Sequence, residues 1–250
     1  MICAMSCLRI TLNRQDLTTD AGVAWVHAAD YPALHDTCSR VLHVNELAYY
    51  QRVPAIRRKT SFLIGRYAAK QALSSLVHES DYTRIEIASG IFQQPIVKYP
   101  SPEPLGVSIS HTDKYACAIA FPLIHPLALD VERIDRVSVK AMKSQILPYE
   151  LQTEALARLP EPTRCAIIWT AKEALSKVLK CGMMSPFCIF ETMDVSQEPD
   201  WIVGHFKNFG QYKFHAWVLD DHVVSMAVPK RTDIDVDLST LLHDSLPIGD

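Results

Sequence analysis

The sequence predicts an α+β fold built from two similar halves in a pseudo-twofold arrangement, each with a long helix against an antiparallel sheet. Three observations predict it. Residues 60–78 and 164–180 carry apolar side chains at three- and four-residue steps, as two long helices do. Short apolar or alternating runs bounded by turn residues surround them and read as strands. Finally, Tyr67-Ala-Ala-Lys-Gln-Ala-Leu-Ser-Ser-Leu-Val77 aligns without gaps on Trp169-Thr-Ala-Lys-Glu-Ala-Leu-Ser-Lys-Val-Leu179. At the same offset, residues 127–132 fall on 25–30, so each half runs strand, helices, long helix, strands. Chance likeness of two amphipathic helices is the alternative.

In chain order, residues 1–21 read as polar and irregular. Gly22–Ala28 reads as a strand ending at Asp30-Tyr-Pro32. Residues 33–52 are mainly helical, with Leu34, Cys38, Val41 and Leu42 on one face, until Pro54 breaks the pattern. Arg57-Arg58-Lys59 precedes the first long helix, which carries Phe62, Leu63, Tyr67, Ala69, Leu73 and Leu76. Arg84–Ala88 alternates, and Gly90–Lys98 turns into an extended run. Gly106–Ser110 and Tyr115–Phe121 flank a polar turn and form a hairpin. Pro122 and Pro126 bracket the join between halves, and Leu127–Glu132 is a further strand. Residues 138–158 are helical in two pieces broken near Pro148. The second long helix has Pro162 just before it and Gly182 just after. Cys188–Thr192, Trp201–Phe206, Tyr212–Leu219 and His222–Val228 suggest an antiparallel meander. The expected division is 1–124, 125–230 and a polar tail, 231–250.

Bulk properties narrow the function. With 250 residues, 48% hydrophobic and 21% charged, the chain has an ordinary globular composition. A net charge of −3 argues against general nucleic-acid binding. No apolar run is long enough to span a membrane, and the first residues do not read as a signal peptide. Seven scattered cysteines without a CxxC pair suggest neither a zinc site nor a disulfide framework, and the cytoplasm is the expected compartment.

Four clusters carry chemistry. On the second long helix Ile168, Ala171, Leu175, Val178 and Leu179 form a core stripe, with Trp169, Glu173, Lys177 and Lys180 beside it. The ordinary reading of Glu173 and Lys177 is an ion pair one turn apart, worth a few tenths of a kcal/mol. In the strand 127–132, Asp130 and Glu132 share a face. Their hard oxygens suit Mg²⁺ or Mn²⁺, although a solvated strand end beside Arg133 reads the same way. Ser108-Ile-Ser110-His111 sits at a hairpin mouth, where hydroxyl and imidazole can meet phosphate oxygens or simply form a turn. Arg57, Arg58, Lys59, Arg66 and Lys70 offer cations that can bind phosphate or make a solvated basic face. No Walker loop or GxGxxG is present, so a phosphate ligand needs side chains. The first long helix has Gln71 and Ser75 where the second has Glu173 and Lys177.

In this order, Gly65-Arg66-Tyr-Ala-Ala, Gly90 with Gln94-Pro95, Ser108-Ile-Ser-His111, Leu129-Asp130-Val-Glu132 and Trp169-Thr-Ala-Lys-Glu173-Ala-Leu-Ser-Lys177 resemble the 4′-phosphopantetheinyl transferases. The likeness covers residues 55–195 and is strongest to the larger, pseudodimeric type that activates nonribosomal peptide, polyketide and siderophore synthases. The resemblance implies that fold, with the ligand in a cleft between the halves, and the Mg²⁺-dependent transfer of the 4′-phosphopantetheine arm of coenzyme A. The acceptor would be a serine hydroxyl of an apo acyl or peptidyl carrier protein, and adenosine 3′,5′-bisphosphate would leave. Asp130, Glu132 and Glu173 would hold Mg²⁺, with Mn²⁺ the alternative ion. Glu173, Lys177 and His111 would be catalytic, Glu173 as base and Lys177 beside the attacked phosphate. Arg58, Arg66, Gln94, Ser110, His111 and Lys177 would contact coenzyme A, the two arginines at its 3′-phosphate. A monomer is expected, since the two halves supply the shared cleft, with neither nucleic acid nor membrane as partner. Lys140, Met142, Lys143 and Ile146 are the expected carrier-docking face. The sequence departs from the family at Ala128 and Gln93, where glycine is usual, and at Gln94, where lysine is usual. The competing readings are a non-catalytic carrier-binding homologue and a metal-dependent nucleotide phosphohydrolase.

Overall fold

The computed structural model describes residues 6–135 and 138–234. The chain divides after Pro126 into two compact units, the second being Leu127–Thr232; the short strand Asp233–Ile234 belongs to the first. Most of the expected polar tail lies outside the described residues.

In the first unit, β1 (Ser6–Arg14) and β2 (Leu17–His27) form a hairpin where the sequence suggested irregular chain. Ile10 and Leu12 are buried, and the polar residues between them face away. The expected helical stretch is three short helices, α1 (Tyr31–Asp36), α2 (Cys38–Val41) and α3 (Val44–Arg52). Leu34, Val41 and Leu42 are buried as their spacing requires. The long helix α4 (Ile56–Val77) starts earlier than expected, so Arg57, Arg58 and Lys59 lie in its first turns. It ends at His78, whose left-handed conformation (φ 55°) lets its N–H reach the Ser74 carbonyl. The strands β3 (Glu86–Ser89), β4 (Pro95–Lys98), β5 (Leu105–His111) and β6 (Tyr115–Pro122) follow.

The main sheet of this unit is antiparallel, in the order β12-β1-β2-β6-β5, where β12 is Asp233–Ile234; β3 and β4 form a separate two-stranded ribbon. Ala68, Ala69 and Ala72 let α4 lie close on the sheet. At Gly22 the approach is so tight that a Cβ would lie 2.2 Å from the Ala72 carbonyl oxygen.

The second unit repeats the plan. Strand β7 (Ala128–Arg133) is followed by α5 (Val139–Lys143), a short turn at Pro148–Leu151, α6 (Glu154–Ala157) and the long helix α7 (Glu161–Val178). A 3₁₀ turn at Phe187–Phe190 stands where the sequence suggested a strand. Phe187 and Phe190, three apart, are both buried in the core, which a single strand face cannot achieve. The strands β8 (Thr192–Gln197), β9 (Ile202–Phe206), β10 (Tyr212–Leu219) and β11 (His222–Pro229) complete an antiparallel sheet in the order β7-β11-β10-β9-β8.

Each unit is therefore a long helix on a five-stranded antiparallel sheet, the expected α+β architecture. The correspondence pairs β2 with β7, β6 with β11 and β5 with β10. The counterparts of β9 and β8 are β4 and β3, which have left their sheet. No helix among the described residues is long and apolar enough to cross a membrane.

Candidate functional site

In the second unit, β7 and α7 bring the acidic residues together. Asp130 pairs in register with Ser225 of β11, whose hydroxyl meets Thr170 of α7 at 2.6 Å, so this sheet face looks at the helix. Alternation puts Asp130 and Glu132 on that face. Lys177 reaches across from α7 and donates to Asp130 Oδ1 at 2.6 Å and to the Leu129 carbonyl at 3.2 Å. Trp169, stacked on Phe187 at 4.8 Å, donates its indole N–H to Glu132 Oε1 at 3.3 Å.

The electrostatics follow from this crowding. Burial and then Asp130 push the Glu132 carboxyl up to about 7; Glu173 adds to the effect, while the Trp169 bond and Lys177 oppose it. Glu173 is pushed up to about 7 by burial and Asp130, against the pull of Lys177. A divalent cation would relieve this mutual repulsion, and an all-carboxylate donor set fits Mg²⁺ in kind. Among the described residues, however, no three His, Cys, Asp or Glu side chains form a closed metal-ligand cluster. The ammonium of Lys177 stands on Asp130 instead.

The first unit holds a pocket of ≈ 430 Å³ between α3, α4, the β3–β4 ribbon and β5. Arg58, Arg66, His111 and Gln93 are among its lining residues, together with Glu46 and Phe62, to which the sequence reading gave no ligand role. The ribbon's separation from the main sheet makes room for it. The first turn of α4 has three cations, no acid and no side-chain cap, an arrangement that the helix dipole disfavours and an anion would relieve. Arg66 lies over the Phe62 ring, 4.8 Å from its centroid, with Glu46 Oε1 3.2 Å from its Nε. This contact is ionic, because the Nε–H does not point along it.

Several expected positions lie away from this pocket. Gln94 does not line the pocket, whereas Gln93 does. The Gln94 side chain folds over Gly90, where a Cβ would collide with it at 2.3 Å, and accepts the Phe92 N–H at 2.9 Å. Gln93 takes the left-handed conformation (φ 65°) that suits a glycine. Ser110 is buried on the opposite face of β5 from His111 and is absent from the pocket wall. In the expected docking face, Met142 and Ile146 are buried in the core of the second unit and Lys143 pairs with Glu161 at 2.7 Å. That face is mostly ordinary amphipathic packing.

Each long helix also buries a lysine paired with a glutamate. Lys172 Nζ lies 2.7 Å from Glu150 Oε2, with both side chains 0% exposed. Lys70 Nζ lies 2.5 Å from Glu46 Oε2, with 0% and 3% exposure. In the sequence only the dipeptide Glu46-Leu47 recurs, as Glu150-Leu151, two residues out of step with the helix alignment.

Residues 126–227 match the family model described as the 4′-phosphopantetheinyl transferase superfamily. Residues 49–121 match that of the 4′-phosphopantetheinyl transferase N-terminal domain. The chain belongs to the 4′-phosphopantetheinyl transferases, and this two-part layout fits the larger type. It is accordingly a transferase of this class.

Solved structures similar to the chain include a holo-(acyl-carrier-protein) synthase from Bacillus anthracis in complex with CoA (3′,5′-ADP). It shows 24% identity and a TM-score of 0.37, covering 48% of this chain and 97% of that one. A holo-[acyl-carrier-protein] synthase from Helicobacter pylori in complex with coenzyme A shows 20% identity and a TM-score of 0.35, covering 40% and 96%. The holo-ACP-synthase from Plasmodium yoelii shows 19% and 0.37, covering 41% and 91%. No curated protein matches the sequence.

Proposed function

We propose that the protein transfers the 4′-phosphopantetheine arm of coenzyme A to a serine hydroxyl of an apo acyl or peptidyl carrier protein in the cytoplasm. Such carriers belong to nonribosomal peptide, polyketide, siderophore or fatty-acid synthases. The observation that carries the reading is the gathering of Asp130, Glu132, Glu173 and Lys177 on the facing surfaces of β7 and α7, inside the superfamily match.

In this reading the serine oxygen forms a bond to the phosphorus that carries the pantetheine. The phosphoanhydride bond breaks, and adenosine 3′,5′-bisphosphate leaves with the electron pair. Glu173 takes the serine proton, directly or through a water. Asp130, Glu132 and Glu173 would hold Mg²⁺, which when bound supplies positive charge to the pyrophosphate oxygens. Lys177 keeps a cation at the same place and steadies the charge that develops on the leaving group. In the first unit, Arg58 and Arg66 would take the 3′-phosphate, with His111 as a further donor at the pocket wall.

The test is incubation with coenzyme A, Mg²⁺ and several apo carrier proteins, read by intact mass. The expected result is one phosphopantetheine added at the carrier serine. No addition on any carrier would overturn the reading, and bisphosphate release without a carrier would favour a phosphohydrolase.

A further inference from the structure

Both units contain the same buried device. Glu150 accepts the Leu147 and Thr192 N–H groups, each at 2.7 Å, and binds Lys172, tying the turn before α6 to α7 and to the first residue of β8. Glu46 accepts the His43 N–H at 2.9 Å and the Ile87 N–H at 3.1 Å and binds Lys70, tying the start of α3 to β3. The elements joined correspond one for one. A duplicated lock of this kind needs no ligand.

The two copies differ in one respect. Four residues before each lysine stands Arg66 in the first unit and Ile168 in the second. Ile168 is wholly buried. Arg66 lines the pocket, and the oxygen of Glu46 not used by Lys70 contacts its Nε. Phe62 covers the face of the guanidinium. The guanidinium is thereby confined between the Phe62 ring and the Glu46 carboxylate, which narrows the directions its fork can take even though the Nε–H is not aimed at that oxygen. The two Nη groups are the part of the fork that this arrangement leaves to an anion.

We propose that Glu46 is a positioning residue that aims Arg66 at the 3′-phosphate of coenzyme A, a second use of a carboxylate whose counterpart, Glu150, is only structural. The proposal rests on the reading of this pocket as the 3′-phosphate side of the ligand site. It predicts that Glu46 governs discrimination between ligands with and without that phosphate. A merely structural role would move both affinities together.

The experiment measures calorimetric affinities for coenzyme A and for dephospho-coenzyme A with the full chain. Because Glu46→Gln strands the Lys70 ammonium, the paired variant Glu46→Gln/Lys70→Met removes both buried charges and keeps the measurement interpretable. In each variant the preference for coenzyme A is expected to fall about tenfold while dephospho-coenzyme A binding is retained. The mirror variant Glu150→Gln/Lys172→Met is expected to keep the wild-type preference. A folded Glu46→Gln/Lys70→Met protein with undiminished preference would overturn the proposal. A wild-type protein that binds both ligands equally would instead overturn the phosphate reading of the pocket, and the proposal with it.

Discussion

Truncating Lys172 to methionine tests whether the lysine beside Glu173 belongs to the structure or to the chemistry. Its ammonium and the Glu150 carboxylate are both fully buried and 2.7 Å apart. Without Lys172, Glu150 keeps three hydrogen bonds, from the Leu147 and Thr192 N–H groups and the Thr192 hydroxyl, but loses its cation. Breaking a buried pair by removing one partner costs about 3–5 kcal/mol, because the surviving charge cannot be solvated. Against a typical total of about 5–15 kcal/mol, this is a large fraction of stability. Replacing both partners removes the stranded charge, so Lys172→Met/Glu150→Gln should recover at least half of the loss. Urea unfolding at pH 7.5 of the two single variants, the double variant and the wild type gives the cycle. Transfer activity per folded molecule should persist in Lys172→Met, since its side chain points into the core. A single-variant loss under about 1 kcal/mol, or a double variant no better than either single, would refute the reasoning.

Three further outcomes are expected. Glu173→Gln should lower transfer by about 10²–10⁴-fold, as loss of a general base does. In metal-free buffer it should also raise stability above pH 7. A carboxyl raised from its usual range to about 7 makes folding less favourable as pH climbs through that interval, and the amide escapes this; urea midpoints in chelator at pH 5 and 8 check the sign. His215, buried against Trp217 and Trp201, is held down to about 4 by burial, then by Lys213 and His205. Its neutral form is fully favoured above pH 6.5, and roughly 3 kcal/mol of stability is lost as pH falls from there to 4. His215→Phe should flatten that acid limb of the urea midpoint. Gly22→Ala would press a methyl group against the Ala72 carbonyl and should cost at least about 2 kcal/mol in the same assay.

The long helices, the meander and the acidic pair of β7 were legible because local pattern suffices for them. Asp130 and Glu132 need only the period of a strand, and Glu173 and Lys177 only that of a helix. Strand β1 was not legible, because Arg9, Thr11 and Asn13 made its alternation look like polar chain. The Phe187–Phe190 turn was misread because an apolar run alone does not separate strand from 3₁₀ turn; the three-residue spacing of its phenylalanines was the available cue. Gln94 and Ser110 were assigned by motif position, and their neighbours place both side chains away from the lining of the first unit's pocket. Gly90 gives the Gln94 side chain a seat inside the loop, and alternation along β5 turns Ser110 away from His111.

The buried Lys–Glu pairs lay beyond any local pattern, since the partners are separated by loops and sit on different elements. They account for the lysine that the two long helices share, at Lys70 and Lys172, while the helices differ at the next position, Gln71 and Glu173. The lysine is fixed by the lock. The residue after it takes no part in the lock and is glutamine in one unit and glutamate in the other. Residues 28–30, which correspond to Asp130–Glu132, lie beyond the end of β2 in a 3₁₀ turn, with Ala28 at the place of Asp130. The first unit thus lacks a strand to present paired acids, and its long helix carries Gln71 and Ser75 where the second has Glu173 and Lys177. Its ribbon has instead left the sheet and opened a pocket floored by Arg66 and Glu46. One scaffold, locked twice in the same way, presents cations to a pocket in one copy and gathers carboxylates in the other, and the proposed function assigns the first to an anion and the second to a cation.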